Sequence, residues 1–158
     1  MNEPLQLTIV GGGMITADQL LPSIYHLQRL GAVGGITICA LESAPLRALR
    51  DDPGLAAAFP GQAFTPRPSF DEPPGRQFPG LYREVLAGMA KRQAVVVAVP
   101  DHLHHETVMA ALAADQHVLS VKPLVLRHAQ AVEIEEGARE RGLFVGVEYH
   151  KRFDRRSR

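Results

Sequence analysis

Hydrophobic residues along the chain fall into short unbroken runs separated by longer amphipathic stretches. The runs Leu5–Val10, Ile36–Leu41, Ala94–Val99, His117–Ser120 and Leu143–Val147 read as strands, and several are continuously apolar rather than alternating. An alternating strand keeps one face in water, whereas a continuous one is covered on both faces. Between the runs, apolar positions at helical spacing predict helices over Thr16–Leu30, Ala44–Ala58, Leu81–Lys91, His104–Ala114 and Arg127–Arg141. Strand and helix alternate, so the pattern predicts an α/β fold with a doubly wound parallel sheet.

Local punctuation supports the boundaries. Gly31 follows the first helix, Asp52-Pro53-Gly54 marks a turn, and Gly142 closes the last helix before a strand. Pro22 cannot donate a backbone hydrogen bond, yet Leu20, Ile24, Leu27 and Leu30 keep a helical spacing across it, so a kinked first helix is expected. The stretch Phe59–Gly80 breaks the rhythm with Pro60, Pro66, Pro68, Pro73, Pro74 and Pro79, and it hides a short third strand near Ala63–Thr65. The alternating pattern continues on both sides, which favours an ordered surface loop or flap over a disordered linker between domains.

Composition narrows the classes. The 158 residues make one ordinary domain, with 17 basic and 17 acidic side chains, so no global field draws the chain to nucleic acid or anionic lipid. The single cysteine, Cys39, sits inside an apolar run and reads as a small buried hydrophobe. The N-terminus lacks a basic region before a long apolar segment, and no stretch approaches the ~18 apolar residues of a membrane span, so a cytoplasmic protein is expected. The terminal HKRFDRRSR is basic but has no aromatic platform, and it reads as a connection to a further domain rather than a nucleic-acid tail.

Leu7–Ile15, LTIVGGGMI, is a strand that breaks into three glycines before a helix. Such a turn holds a diphosphate: the first glycine, Gly11, allows the tight bend, and Gly12 and Gly13, lacking Cβ atoms, let main chain approach phosphate oxygens at the helix N-terminus. The match to G-x-G-x-x-G is incomplete, because Thr16 stands at the third glycine, and a Gly-rich turn that binds nothing is the alternative. Glu42 ends the second strand, where a carboxylate can accept both ribose hydroxyls and repel a 2′-phosphate. NAD is therefore expected over NADP, with Arg47 one turn on keeping NADP open; a solvated helix-start carboxylate is the alternative for Glu42.

Ligands of open parallel sheets bind beyond the carboxyl ends of the strands, so Val99, Pro100 and His104, after the fourth strand, belong on the nicotinamide side. His102, His104 and His105 crowd this turn, but no further ligands stand at an orthodox metal spacing, and no metal is expected. Lys122 follows the fifth strand. Partly buried beside a nicotinamide it could hold or accept the proton of a substrate hydroxyl; the alternative is a surface lysine closing a strand.

GGGMI, the PDHLH turn, the V-K-P tripeptide and VGVEYHKRFD occur in order along almost the whole chain, and together they resemble the N-terminal half of the Gfo/Idh/MocA oxidoreductases. The resemblance implies a Rossmann domain binding NAD(P), followed by an α+β substrate domain that also supplies most of a homo-oligomer interface. It implies that Gly11, Gly13, Met14 and Ile15 meet the diphosphate, Glu42 the ribose, and Val99, Pro100 and His104 the nicotinamide side, with Lys122 catalytic and Lys151 lining the substrate side. The implied activity is hydride transfer between the nicotinamide and a sugar- or polyol-type hydroxyl. Two departures stand out: Val121 replaces the family's usual Glu before the lysine, and the chain stops at Arg158, where the substrate domain would begin, so the N-terminal part of a longer two-domain protein is expected. A non-catalytic NAD(P) sensor or scaffold is the alternative, motivated by both departures.

Overall fold

Strands β1 (Leu5–Val10), β2 (Val33–Cys39), β3 (Thr65–Arg67), β4 (Ala94–Val97), β5 (His117–Val121) and β6 (Val145–Glu148) form one sheet in the computed structural model, which describes residues 3–157. All pairings are parallel and the order is β3-β2-β1-β4-β5-β6. The helices are α1 (Leu21–Arg29), α2 (Ser43–Arg50), α3 (Pro53–Ala58), α4 (Leu81–Ala87), α5 (His104–Ala113) and α6 (His128–Arg141).

The side-chain period of two in each strand divides the core between two faces. On one face, Leu7, Ile9, Ile36, Ile38 and Val96 pack with Leu21, Ile24, Leu46 and Leu49 of α1 and α2. On the other, Val10, Val95, Val97 and Val118 pack with Leu86, Val108, Leu112 and Ile134 of α4, α5 and α6. Both faces are covered, as the continuous apolar runs require. Ile9, Ile38, Leu21 and Leu46 are each essentially inaccessible to water, and full burial of such a side chain stabilises by roughly 1.5–3 kcal/mol.

The expected kink at Pro22 takes a specific form. A π-helical turn over Thr16–Leu20 precedes α1, and the Leu21 amide donates to the Thr16 carbonyl five residues back. Widening that turn places Pro22 in the first turn of α1, where its missing N–H is one the helix would leave unpaired anyway. The helix expected over residues 44–58 is two helices, because Asp52 turns extended and its carboxylate accepts from the Leu55 amide (2.9 Å), capping α3. β3 starts two residues later than expected and contains Pro66, which the sheet tolerates because β3 is an edge strand. α6 ends where Gly142, at φ 59°, adopts the left-handed cap.

Candidate functional site

The strand order reverses between β1 and β4, and in such sheets the crevice at that reversal receives ligands. Each side of it is built from main chain. The Gly11 amide donates to the Cys39 carbonyl and the Ala98 amide to the Val10 carbonyl, both at 2.8 Å. Gly11 sits at φ +120°, and a Cβ there would stand 2.1 Å from the Ala98 carbonyl oxygen, so the end of β4 passes too close for any side chain. Gly12 is also tight, its Cβ position lying 3.2 Å from the Ala40 Cβ, whereas around Gly13 nothing lies within 4 Å. Thr16, at the third-glycine position, is buried, and its hydroxyl donates to the Gly11 carbonyl at 2.8 Å. That bond braces the bend from inside, which is how the loop closes without a third glycine.

The crevice above the glycines has a volume of about 440 Å³. Gly11, Gly12, Gly13, Val99 and Pro100 line it, and Cys39 and Ala40 border it at the end of β2. Burial pushes the Cys39 thiol up to about 12 against the pull of Arg67. The opposite wall went unanticipated. Leu41, Phe78, Pro79, Tyr82 and Leu103 close it with apolar surface, and Glu106 and Thr107 add polar atoms. The Phe78 amide donates to the Leu41 carbonyl at 2.8 Å, folding the proline-rich segment back over the end of β2. Arg47 and Ser43 hold the same segment, donating to the carbonyls of Phe70 (2.6 Å) and Glu72 (3.2 and 2.9 Å). The loop is thus ordered, as the alternating pattern implied. The aromatics Phe78 and Tyr82, in the run QFPGLY, were the available signal for this wall.

Tyr82 donates to the Glu106 carboxylate at 3.4 Å. Burial, with that carboxylate beside it, holds the phenol above its ordinary range.

Other expected residues fall in different places. Glu42 is the extended residue preceding α2, directly after Leu41, and its carboxylate makes no cap hydrogen bond, so the helix start does not consume it. Ile15 packs against the first core face, while Met14 is 78 % exposed beside the glycines. Lys122 lies just past β5 on the same sheet edge but is exposed rather than partly buried. Val121 before it is buried in the first core face, so the position where the family carries Glu is filled here by core packing.

One expectation needs correction. His104 does not line the crevice: its side chain is fully buried, with Nδ1 2.6 Å from the Pro123 carbonyl oxygen and Nε2 2.9 Å from that of Val99. Both ring nitrogens face main chain, leaving none for a ligand. Lys151, expected on the substrate side of the cofactor, is largely exposed, its ammonium 3.6 Å from the Asp154 carboxylate. Among the described residues, no three His, Cys, Asp or Glu side chains converge as a metal would require, and no helix is long and apolar enough to cross a membrane.

A six-stranded parallel sheet in this order, with a glycine bend opening onto the reversal point, defines a dinucleotide-binding α/β domain of the Rossmann type. Residues 5–149 match the model of the oxidoreductase family with an NAD-binding Rossmann fold. The chain belongs to the Gfo/Idh/MocA family. It is 31 % identical over 153 residues to an uncharacterised oxidoreductase, YfiI, of Bacillus subtilis (strain 168), covering 94 % of this chain and 35 % of that protein. It is 25 % identical over 152 residues to the D-glucoside 3-dehydrogenase of Escherichia coli (strain K12), covering 96 % and 36 %. In structure it resembles a 3-ketoreductase from Actinomadura kijaniata crystallised with NADP and TDP-benzene, with a TM-score of 0.65 at 23 % identity over 94 % of this chain and 39 % of that one. The chain therefore spans a little over a third of the length of these relatives.

The crevice fits the group this family carries. Main chain without a side chain at Gly13 leaves the approach open to a diphosphate, and the apolar wall from Leu41 to Tyr82 suits a flat aromatic base.

Proposed function

We propose that this chain is the cofactor-binding domain, residues 1–158, of an NAD-dependent dehydrogenase that interconverts a sugar- or polyol-type hydroxyl and the corresponding carbonyl by hydride transfer. The observation that carries the reading is the open main-chain cradle at Gly13, on the same sheet edge as Glu42, Pro100 and Lys122. In this reading Gly11, Gly12 and Gly13, with Met14 and Ile15 at the start of the helix, hold the diphosphate. Glu42 accepts from the adenosine ribose hydroxyls, and Val99 and Pro100 face the nicotinamide, which supplies the hydride acceptor or donor when bound.

Lys122 holds the substrate hydroxyl and its proton while the neighbouring carbon changes oxidation state. Lys151 stands with the substrate-facing side of the full-length protein. The similarity to a D-glucoside 3-dehydrogenase supports a polyhydroxylated substrate, and a second domain supplies the groups that recognise it. The resemblance also supports a cytoplasmic homo-oligomer.

The choice of NAD over NADP rests on two neighbours. Glu42 brings negative charge to the ribose position, and the nearby Arg47 guanidinium is already bound by the carbonyls of Phe70 and Glu72, so it is not offered to a 2′-phosphate. Calorimetric titration of the chain with NADH, NAD, NADPH and NADP tests the proposal. NADH is expected to bind at least ~10-fold more tightly than NADPH, a difference of about 1.4 kcal/mol. Absence of binding by any of the four at millimolar concentration would overturn it.

A further inference from the structure

We infer that His104 is a positioning residue that sets Lys122 against the nicotinamide end of the crevice by tying together the two segments that leave β4 and β5. The inference rests on the dinucleotide reading above. β4 and β5 pair in register as far as Val97 opposite Ser120, and continuing that register by two residues would set Val99 opposite Lys122. The ladder does not continue: β4 ends at Val97 and β5 at Val121. Past that point His104 spans the gap, with Nε2 at 2.9 Å from the Val99 carbonyl and Nδ1 at 2.6 Å from the Pro123 carbonyl.

Ser120, the last residue of β5 paired with β4, donates its hydroxyl to the Val121 carbonyl at 3.0 Å and lies 3.5 Å from the same Nδ1. The ring therefore sits at the end of the ladder, between the two segments that run beyond it. Val99 lines the crevice, and Pro123 directly follows Lys122. A carbonyl only accepts, so a ring nitrogen that bonds one must carry the proton, and a neutral imidazole has one N–H. The shorter contact, from Nδ1 to the Pro123 carbonyl, takes that proton, and Nε2 packs against the Val99 carbonyl in a fully buried position. An aliphatic replacement would leave both carbonyls without this partner and let the Lys122 segment move independently of Val99.

The readout is the preference between the two redox forms of the cofactor. The oxidised nicotinamide ring carries a positive charge and the reduced ring none, so an ammonium held nearby weakens NAD relative to NADH. For unit charges about 5 Å apart in water-like surroundings the bias is about fourfold. Dissociation constants of NAD and NADH are measured by calorimetry at low salt for the wild type and for Lys122→Met, His104→Asn, His104→Gln and His104→Leu. Asn places its amide nitrogen near the position of Nδ1 and keeps the Pro123 contact. Gln places its nitrogen near that of Nε2 and keeps only the contact to Val99.

The expected result is that the Kd ratio of NAD to NADH falls about fourfold in Lys122→Met, falls similarly in His104→Gln and His104→Leu, and stays near wild type in His104→Asn. A role in packing alone would weaken both cofactors in proportion and leave the ratio untouched. If His104→Leu does not fold, the Asn and Gln pair decides. Equal ratios in those two variants, or a ratio unmoved by Lys122→Met, would overturn the inference while binding itself stands. Failure of the wild type to bind either form would instead remove the dinucleotide reading, and the positioning role with it.

Discussion

Gly11 and Gly13 lie two residues apart in one bend, yet substitution to alanine should separate folding from binding. At Gly11 the new Cβ would stand 2.1 Å from the Ala98 carbonyl oxygen and 2.6 Å from its carbon, with φ at +120°. Neither contact is with a side chain that can swing away; both are with main chain entering the β4 loop. Backbone strain of ~1–3 kcal/mol adds to overpacking of ~1–3 kcal/mol, so Gly11→Ala should cost roughly 2–6 kcal/mol. For a chain of this size each kcal/mol moves the midpoint by about 2–4 °C, and a fall on the order of 10 °C is expected.

At Gly13 the same methyl meets nothing within 4 Å and the backbone is not left-handed. Stability should hold or rise by ~0.4–1 kcal/mol, because alanine restricts the unfolded chain. The methyl does, however, occupy the space through which a phosphate oxygen would reach the main chain. NADH affinity should drop at least ~10-fold, or about 1.4 kcal/mol. Thermal unfolding followed by circular dichroism, with calorimetric NADH titration of each variant, gives both quantities. A Gly13→Ala protein that binds NADH as tightly as wild type would refute the placement of the diphosphate, and a Gly11→Ala protein of unchanged midpoint would refute the close passage of β4.

Other expectations follow from single contacts. Glu42→Arg should shift preference from NADH toward NADPH by at least ~10-fold, measured by the same titrations; an unchanged ratio would mean that Glu42 does not face the ribose. Asp52→Ala removes the carboxylate that accepts from the Leu55 amide and should lower stability by about 1 kcal/mol, read from urea midpoints at constant slope. Burial pushes the Cys39 thiol up to about 12, so it stays protonated at pH 8. It should react with a disulfide reagent only as the chain unfolds, and rapid labelling of the native protein would contradict its burial.

Much of the sheet was legible because continuous apolar runs report burial on both faces directly. Where the reading slipped, a distant residue was responsible. β2 begins at Val33 rather than Ile36, and Gly34 and Gly35 disguise its start, since glycine disfavours strand. Cβ atoms there would meet the Gln6 side chain at 2.8 and 2.5 Å, and its Oε1 accepts from the Gly35 amide at 2.9 Å. A side chain on β1 thus lies across β2, and no local propensity records it. The π turn before Pro22 is a similar case: the proline predicts that a hydrogen bond is lost, and only the surrounding packing decides whether the helix breaks, bends or widens.

The same division runs through the site. The glycine bend was readable because its requirements are local, set by the conformations and approach distances that only glycine permits. The wall built by Phe78, Pro79 and Tyr82 depends on one hydrogen bond between Phe78 and Leu41, across a proline-rich stretch whose path no periodicity describes. His104 marks the boundary between the two kinds of knowledge. Its residue type announces two nitrogens able to hydrogen-bond, and its place after β4 puts it on the functional edge, but neither says which way the ring points. Only the packing of α5 against β5 turns it inward onto the Val99 and Pro123 carbonyls. It can therefore act on a bound cofactor only through the main chain it holds, and that is why its substitution should alter redox preference through Lys122 rather than by the loss of a direct contact.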